Sequence, residues 1–164
     1  MTTPEFDPDA LLKELVEAGV EFIVIGATAL GAHGVIRASD DLDIVPNPAR
    51  GNLERLATAL AKLDGYPVNA DLTRLGTTVD ATSLSWGGNW LLETAHGALH
   101  IVQSLEALPS YEDLRSRAIE IEIDERTVSV CGYEDLVAMK RSAGRDQDRI
   151  DLTDLEAARG DSES

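Results

Sequence analysis

The segment Asp40-Asp41-Leu42-Asp43-Ile44-Val45 sets three carboxylates into four positions beside residues that belong in a core. From Asp41 onward polar and apolar residues alternate, and a period of two is the mark of a β-strand. On such a strand Asp41 and Asp43 project from one face, while Leu42 and Ile44 project from the other into the interior. The two carboxylates then lie ~5–6 Å apart, and at an effective dielectric of ~20 their repulsion is ~3 kcal/mol. A bound cation, protonation of one acid, or full exposure to water relieves it. Any fold this chain adopts must give that strand one buried face and one face at a polar site.

The flanking sequence supplies the rest of the frame. Asp7-Pro8 opens a helix whose Leu11, Leu12, Leu15 and Val16 form one apolar face, with a stop near Gly19. Glu21 to Gly26 (EFIVIG) is a short β-branched run and reads as a buried strand, and Ala27 to Gly34 as a short helix of small residues. Leu53, Leu56, Leu60 and Leu63 recur at helical spacing. The middle, Pro67 to Trp90, reads as short strands with a loop at Gly87-Gly88, and Gly97 to Leu105 is a further strand candidate. Tyr111 to Ile119 is a short helix, and Ile119 to Gly132 a hairpin turning near Asp124-Glu125. Two helical segments around Gly144 close the chain. This order predicts an α/β (α+β) domain, a mixed β-sheet packed with helices, over residues 1–160, with 161–164 a frayed tail.

Composition narrows the partners. A formal charge of −16 repels phosphate backbones over most of the surface, which disfavours nucleic acid and leaves a nucleotide in a small basic pocket or a docking protein. One cysteine, Cys131, excludes an intrachain disulfide and a cysteine-based zinc site. The longest uncharged run, Phe22 to Ile36, is shorter than the ~20 residues of a membrane span. The acidic start MTTPEFDPD has no apolar signal region, so a cytoplasmic location without membrane contact is expected.

A hard cation suits the aspartates, because magnesium is commonly held by one or two carboxylates with substrate phosphates and water. Just upstream, a strand passes through Gly26 into a short helix, where backbone can approach a phosphate closely, and Arg37 adds a positive charge. This succession of strand, Gly26, short helix, Arg37 and D-x-D strand resembles the nucleotidyltransferase superfamily with the DNA polymerase β-like fold. Arg37 to Asp43 (RASDDLD) is similar to the Arg-x-Thr-x-Asp-hydrophobic-Asp form of small bacterial members. These include minimal nucleotidyltransferases and relatives from toxin–antitoxin and phage-defence operons. Asp135 to Arg141 is similar to the Asp-Leu-hydrophobic-x-x-Lys-Arg pattern of their C-terminal helices.

The resemblance implies that Asp41 and Asp43 bind Mg²⁺ and that Gly26 and Ala27 cradle the triphosphate of an NTP. Lys140 and Arg37 would contact its phosphates. The implied reaction transfers an NMP to a hydroxyl, on a protein or a small molecule rather than nucleic acid, and releases pyrophosphate. Two positions depart from the pattern. Ala27 stands where Gly or Ser is usual, and His100, in HGALHIV, stands where active members carry a third carboxylate. His100 can serve as a proton acceptor but is a poorer magnesium ligand than oxygen, and Asp80 is a second source for the missing acid. The same residues also admit plainer roles: a polar strand face at Asp41 and Asp43, a structural His100, and Lys140, Arg141 and Arg145 paired with Glu134, Asp135, Asp148 and Asp151 on neighbouring turns. A nucleotide- or partner-binding module with impaired catalysis, such as half of a toxin–antitoxin pair, is therefore the alternative to an enzyme.

Overall fold

The computed structural model describes residues 5–68 and 79–163. In chain order it contains α1 (Pro8–Glu17), β1 (Phe22–Ile25), α2 (Gly26–Ala32), β2 (Asp41–Pro46), α3 (Arg50–Lys62), β3 (Tyr66–Pro67) and α4 (Ala81–Leu84). Then follow β4 (Trp90–Thr94), β5 (Gly97–Ile101), α5 (Tyr111–Ser116), β6 (Ile119–Ile123), β7 (Arg126–Val130), α6 (Tyr133–Ala143) and α7 (Asp146–Glu163). The strands form one mixed sheet in the order β3-β4-β5-β2-β1-β7-β6. The expected class, a mixed sheet packed with helices, is the one observed.

Local chemistry explains several boundaries. Asp7 caps α1 by accepting the Ala10 N–H at 3.1 Å, with Pro8 in the first turn. The β6–β7 hairpin turns at Asp124 and Glu125, whose φ values of 49° and 66° are the left-handed pair that a two-residue hairpin turn needs. Gly144, at φ 63°, ends α6 in the left-handed region and lets the chain reverse into α7. That last helix runs to Glu163, into the expected tail.

The middle differs from its reading. Residues 81–84 form a helical turn, although strand was expected there. Ser83 N–H donates to Asp80 Oδ1 at 2.8 Å while Asp80 N–H donates to Ser83 Oγ at 3.0 Å, a reciprocal cap that outweighs the strand preference of its neighbours. Part of the expected strand region, residues 69–78, lies outside the described residues.

β2 is interior to the sheet, antiparallel to β1 on one side and parallel to β5 on the other. Its inward residues Leu42 and Ile44 are fully buried with Leu11, Leu12 and Leu15 of α1 and Leu53, Leu56 and Leu60 of α3. Trp90 is also core, at 2% exposure, whereas Trp86 stands out at 68%. No helix among the described residues is long and apolar enough to cross a membrane.

Candidate active site

β2 presents its aspartates as the alternation requires, with Asp41 and Asp43 half-buried on the face opposite Leu42 and Ile44. Ser39 Oγ donates to the Asp41 carbonyl at 2.7 Å and fixes the entry to the strand. On the parallel side the register sets His100 of β5 against Asp43, and His100 Nδ1 lies 3.0 Å from Asp43 Oδ1. One donor atom from each of Asp41, Asp43 and His100 lies within 4.8 Å of the other two. On the antiparallel side Ile25 pairs with Asp43, which brings Gly26 against the same carboxylate. Gly26 has φ +74°, and a Cβ built there would run into the Asp43 carboxylate. Both the conformation and the space demand glycine.

The crowding of charge is visible in the proton affinities. Burial, and then the charge of Asp43, push the Asp41 carboxyl above its ordinary value. The Asp43 carboxylate beside His100 raises the imidazole's affinity for a proton against the opposing effect of burial, and the Asp41 charge adds to it. The His100 ring thus gains proton affinity from the same two carboxylates that repel each other. A divalent cation fits the same place: two carboxylates are hard oxygen donors, the Cβ-free Gly26 leaves Asp43 room, and His100 adds a nitrogen.

These groups open into a cavity of about 620 Å³, within the size range of small-molecule sites. Asp40, Asp41 and Asp43 line one part of it, while Leu91, Val102, Leu105, Leu136 and Met139 give it an apolar wall. Gly26, Ala27, Arg37 and Lys140, the residues expected at a nucleotide, also line it. The two cations do not project freely. Lys140 is 8% exposed, and its ammonium donates to Asp151 at 2.9 Å and Asp148 at 3.3 Å. Arg37 Nη1 donates to Asp151 Oδ2 at 2.6 Å, and Arg145 Nε to Asp148 Oδ2 at 2.7 Å. Of the pairings read from the sequence, those of Lys140 and Arg145 with the α7 acids are present and coexist with a place on the cavity wall, whereas Asp135 pairs with Arg117 at 2.9 Å.

Asp80 is not part of this site, because its carboxylate is committed to the cap of α4. His33 is likewise engaged elsewhere, with Nε2 2.9 Å from the Cys131 carbonyl oxygen. Sequence reasoning missed the apolar wall and the contact of Arg37 with Asp151, which joins segments far apart in the chain.

A family model described as nucleotidyltransferase of unknown function (DUF6036) matches residues 6–158, nearly the whole chain. The chain belongs to this nucleotidyltransferase family. No curated protein matches it significantly. Among solved structures it is similar to the lincosamide antibiotic adenylyltransferase LnuA in its lincomycin-bound form, with a TM-score of 0.63 at 12% identity over 94% of this chain and 99% of that one. The antibiotic-resistance factor ANT(2'')-Ia superposes with a TM-score of 0.51 at 14% identity, covering 95% of both chains. A Thermotoga maritima protein assigned to the nucleotidyltransferases gives 0.50 at 13%, covering 98% of this chain and 94% of that one. At such identities the likeness establishes the nucleotidyltransferase fold, as expected from the sequence.

Proposed function

We propose that this nucleotidyltransferase moves an NMP from an NTP to a hydroxyl of a small molecule or protein, with Asp41 and Asp43 holding Mg²⁺. The observation that carries this reading is the convergence of Asp41, Asp43 and His100 within 4.8 Å in a cavity that also bears Arg37 and Lys140. Bound there, the cation would supply charge stabilisation to the phosphoryl oxygens. Gly26 and Ala27 let the triphosphate approach the backbone, and Arg37 and Lys140 offset its negative charge. The acceptor oxygen attacks the α-phosphorus, the α–β phosphoanhydride bond breaks, and pyrophosphate departs. His100 takes the hydroxyl proton in its neutral form, the task a third carboxylate performs elsewhere in the superfamily.

A small acceptor fits two facts. The net charge of −16 opposes a nucleic-acid acceptor, and LnuA, which shares the fold, carries an antibiotic as its bound small molecule. A cytoplasmic setting belongs to the same reading.

One observation favours a second reading. His100, at the position where the resemblance calls for a third carboxylate, pairs with Asp43 at 3.0 Å, an arrangement that suits a nucleotide- or partner-binding module without turnover, as in a toxin–antitoxin pair. Incubation of the protein with α-labelled NTPs, Mg²⁺ and a cell extract separates the two. Transfer of label by wild type and its loss in Asp43→Ala are expected. Equal labelling by the two proteins, or none, defeats the enzymatic reading.

A further inference from the structure

Asp148 and Asp151 have no part in the chemistry above, yet they are among the most buried charged residues, at 0% and 1% exposure. Their i, i+3 spacing on α7 sends both carboxylates from one face of the helix. Among the described residues, every lysine and arginine that lines the cavity ends on one of them. Asp151 Oδ2 accepts from Arg37 at 2.6 Å and from Lys140 at 2.9 Å, and Gln147 Nε2 completes its other oxygen at 3.0 Å. Asp148 accepts from Lys140 at 3.3 Å and from Arg145 Nε at 2.7 Å. The three cations come from three segments: the stretch between α2 and β2, helix α6, and the link into α7.

Stability alone accounts poorly for this cluster. Buried ion pairs recover little beyond the desolvation of their charges, and apolar residues of similar volume serve a core as well. Position is the second consideration. The same cavity carries Asp40, Asp41 and Asp43, and the chain as a whole carries −16. A polyphosphate entering it meets repulsion except at this wall, where three cations on two carboxylates leave one positive charge uncompensated. Long cationic side chains lose much rotamer freedom when they grip a ligand, and anchors that fix them beforehand remove that cost.

We propose that Asp148 and Asp151 are positioning residues for the phosphate chain of the nucleotide, holding Arg37, Lys140 and Arg145 as a preformed cationic wall beside Asp41 and Asp43. This rests on the NTP reading of the cavity. If the aspartates merely neutralised the cations, removing one would strengthen anion binding, so the two roles differ in sign.

Calorimetric titration with inorganic tripolyphosphate, without metal, reads that sign directly. Wild type is expected to bind, and Asp151→Asn to bind about tenfold more weakly, as for loss of a charge-assisted contact. Added to Arg37→Gln, Asp151→Asn should cost less than it does alone, because it acts partly through that arginine. Gln147→Ala, at an exposed position, loosens Asp151 without removing a charge; it should weaken binding about twofold. This variant keeps the test decisive if Asp151→Asn unfolds. Unchanged or tighter binding in Gln147→Ala, or in a folded Asp151→Asn, overturns the positioning role while leaving the NTP reading intact. Failure of wild type to bind tripolyphosphate, and MgATP in a parallel titration, overturns both.

Discussion

At the scale of single residues, Gly26 carries two constraints at once. Its φ of +74° costs an L-residue ~1–2 kcal/mol, and its missing Cβ makes room for the Asp43 carboxylate. Gly26→Ala should therefore lower the melting temperature modestly and remove the extra stabilisation conferred by Mg²⁺ with NTP, because Asp43 must turn away. Thermal shifts with and without those ligands check it, and a variant protected as well as wild type would show that Asp43 does not need this space. Sequence identified Gly26, Asp41 and Asp43 because each follows from local pattern: a glycine between strand and helix, and acids at alternate strand positions. It also identified His100, but only as a gap in a family pattern. That its ring meets Asp43 is a matter of strand pairing, which no property of residue 100 encodes.

Among elements, the docking of α7 on α6 carries buried charge, with Lys140 held between Asp148 and Asp151. Burial raises the proton affinity of Asp148, but its bonds to Arg145 and Lys140 outweigh this and leave its carboxyl below the ordinary 3.8. A depressed folded pKa means that the unfolded chain binds the proton more readily, so the contribution is complete above 3.8 and fades as pH falls towards the folded value. Removing one partner of a buried pair costs ~3–5 kcal/mol, which sets the expected loss in Asp148→Asn near neutral pH. Urea melts of both proteins in a descending pH series should show that gap narrowing below 3.8. A gap that stays constant on acidification would mean that packing, not charge, holds the helices. The helices themselves were legible from their stops and apolar spacing. The α4 turn was not, because Asp80 and Ser83 overrode strand preference through two hydrogen bonds that periodicity does not register.

For the whole molecule, the sign of the field governs what can approach. With −16 spread over the chain and the cations of the cavity tied to Asp148 and Asp151, binding of tRNA should be weak and nearly independent of salt. Filter binding across a salt series tests this, and tight binding with a steep salt slope would bring nucleic acid back as the acceptor. Sequence alone determined the β2 strand with its two aspartates, the capped first helix, the Asp124-Glu125 hairpin and the acidic character of the surface. Each depends on neighbours a few positions apart or on a simple sum. Tertiary structure decided the rest. His100 meets Asp43 across 57 positions because β5 pairs with β2, and Arg37 meets Asp151 across 114 because α7 closes beside α6. Those contacts follow from how all the apolar faces are buried together, a condition on the entire chain that no short stretch of it contains.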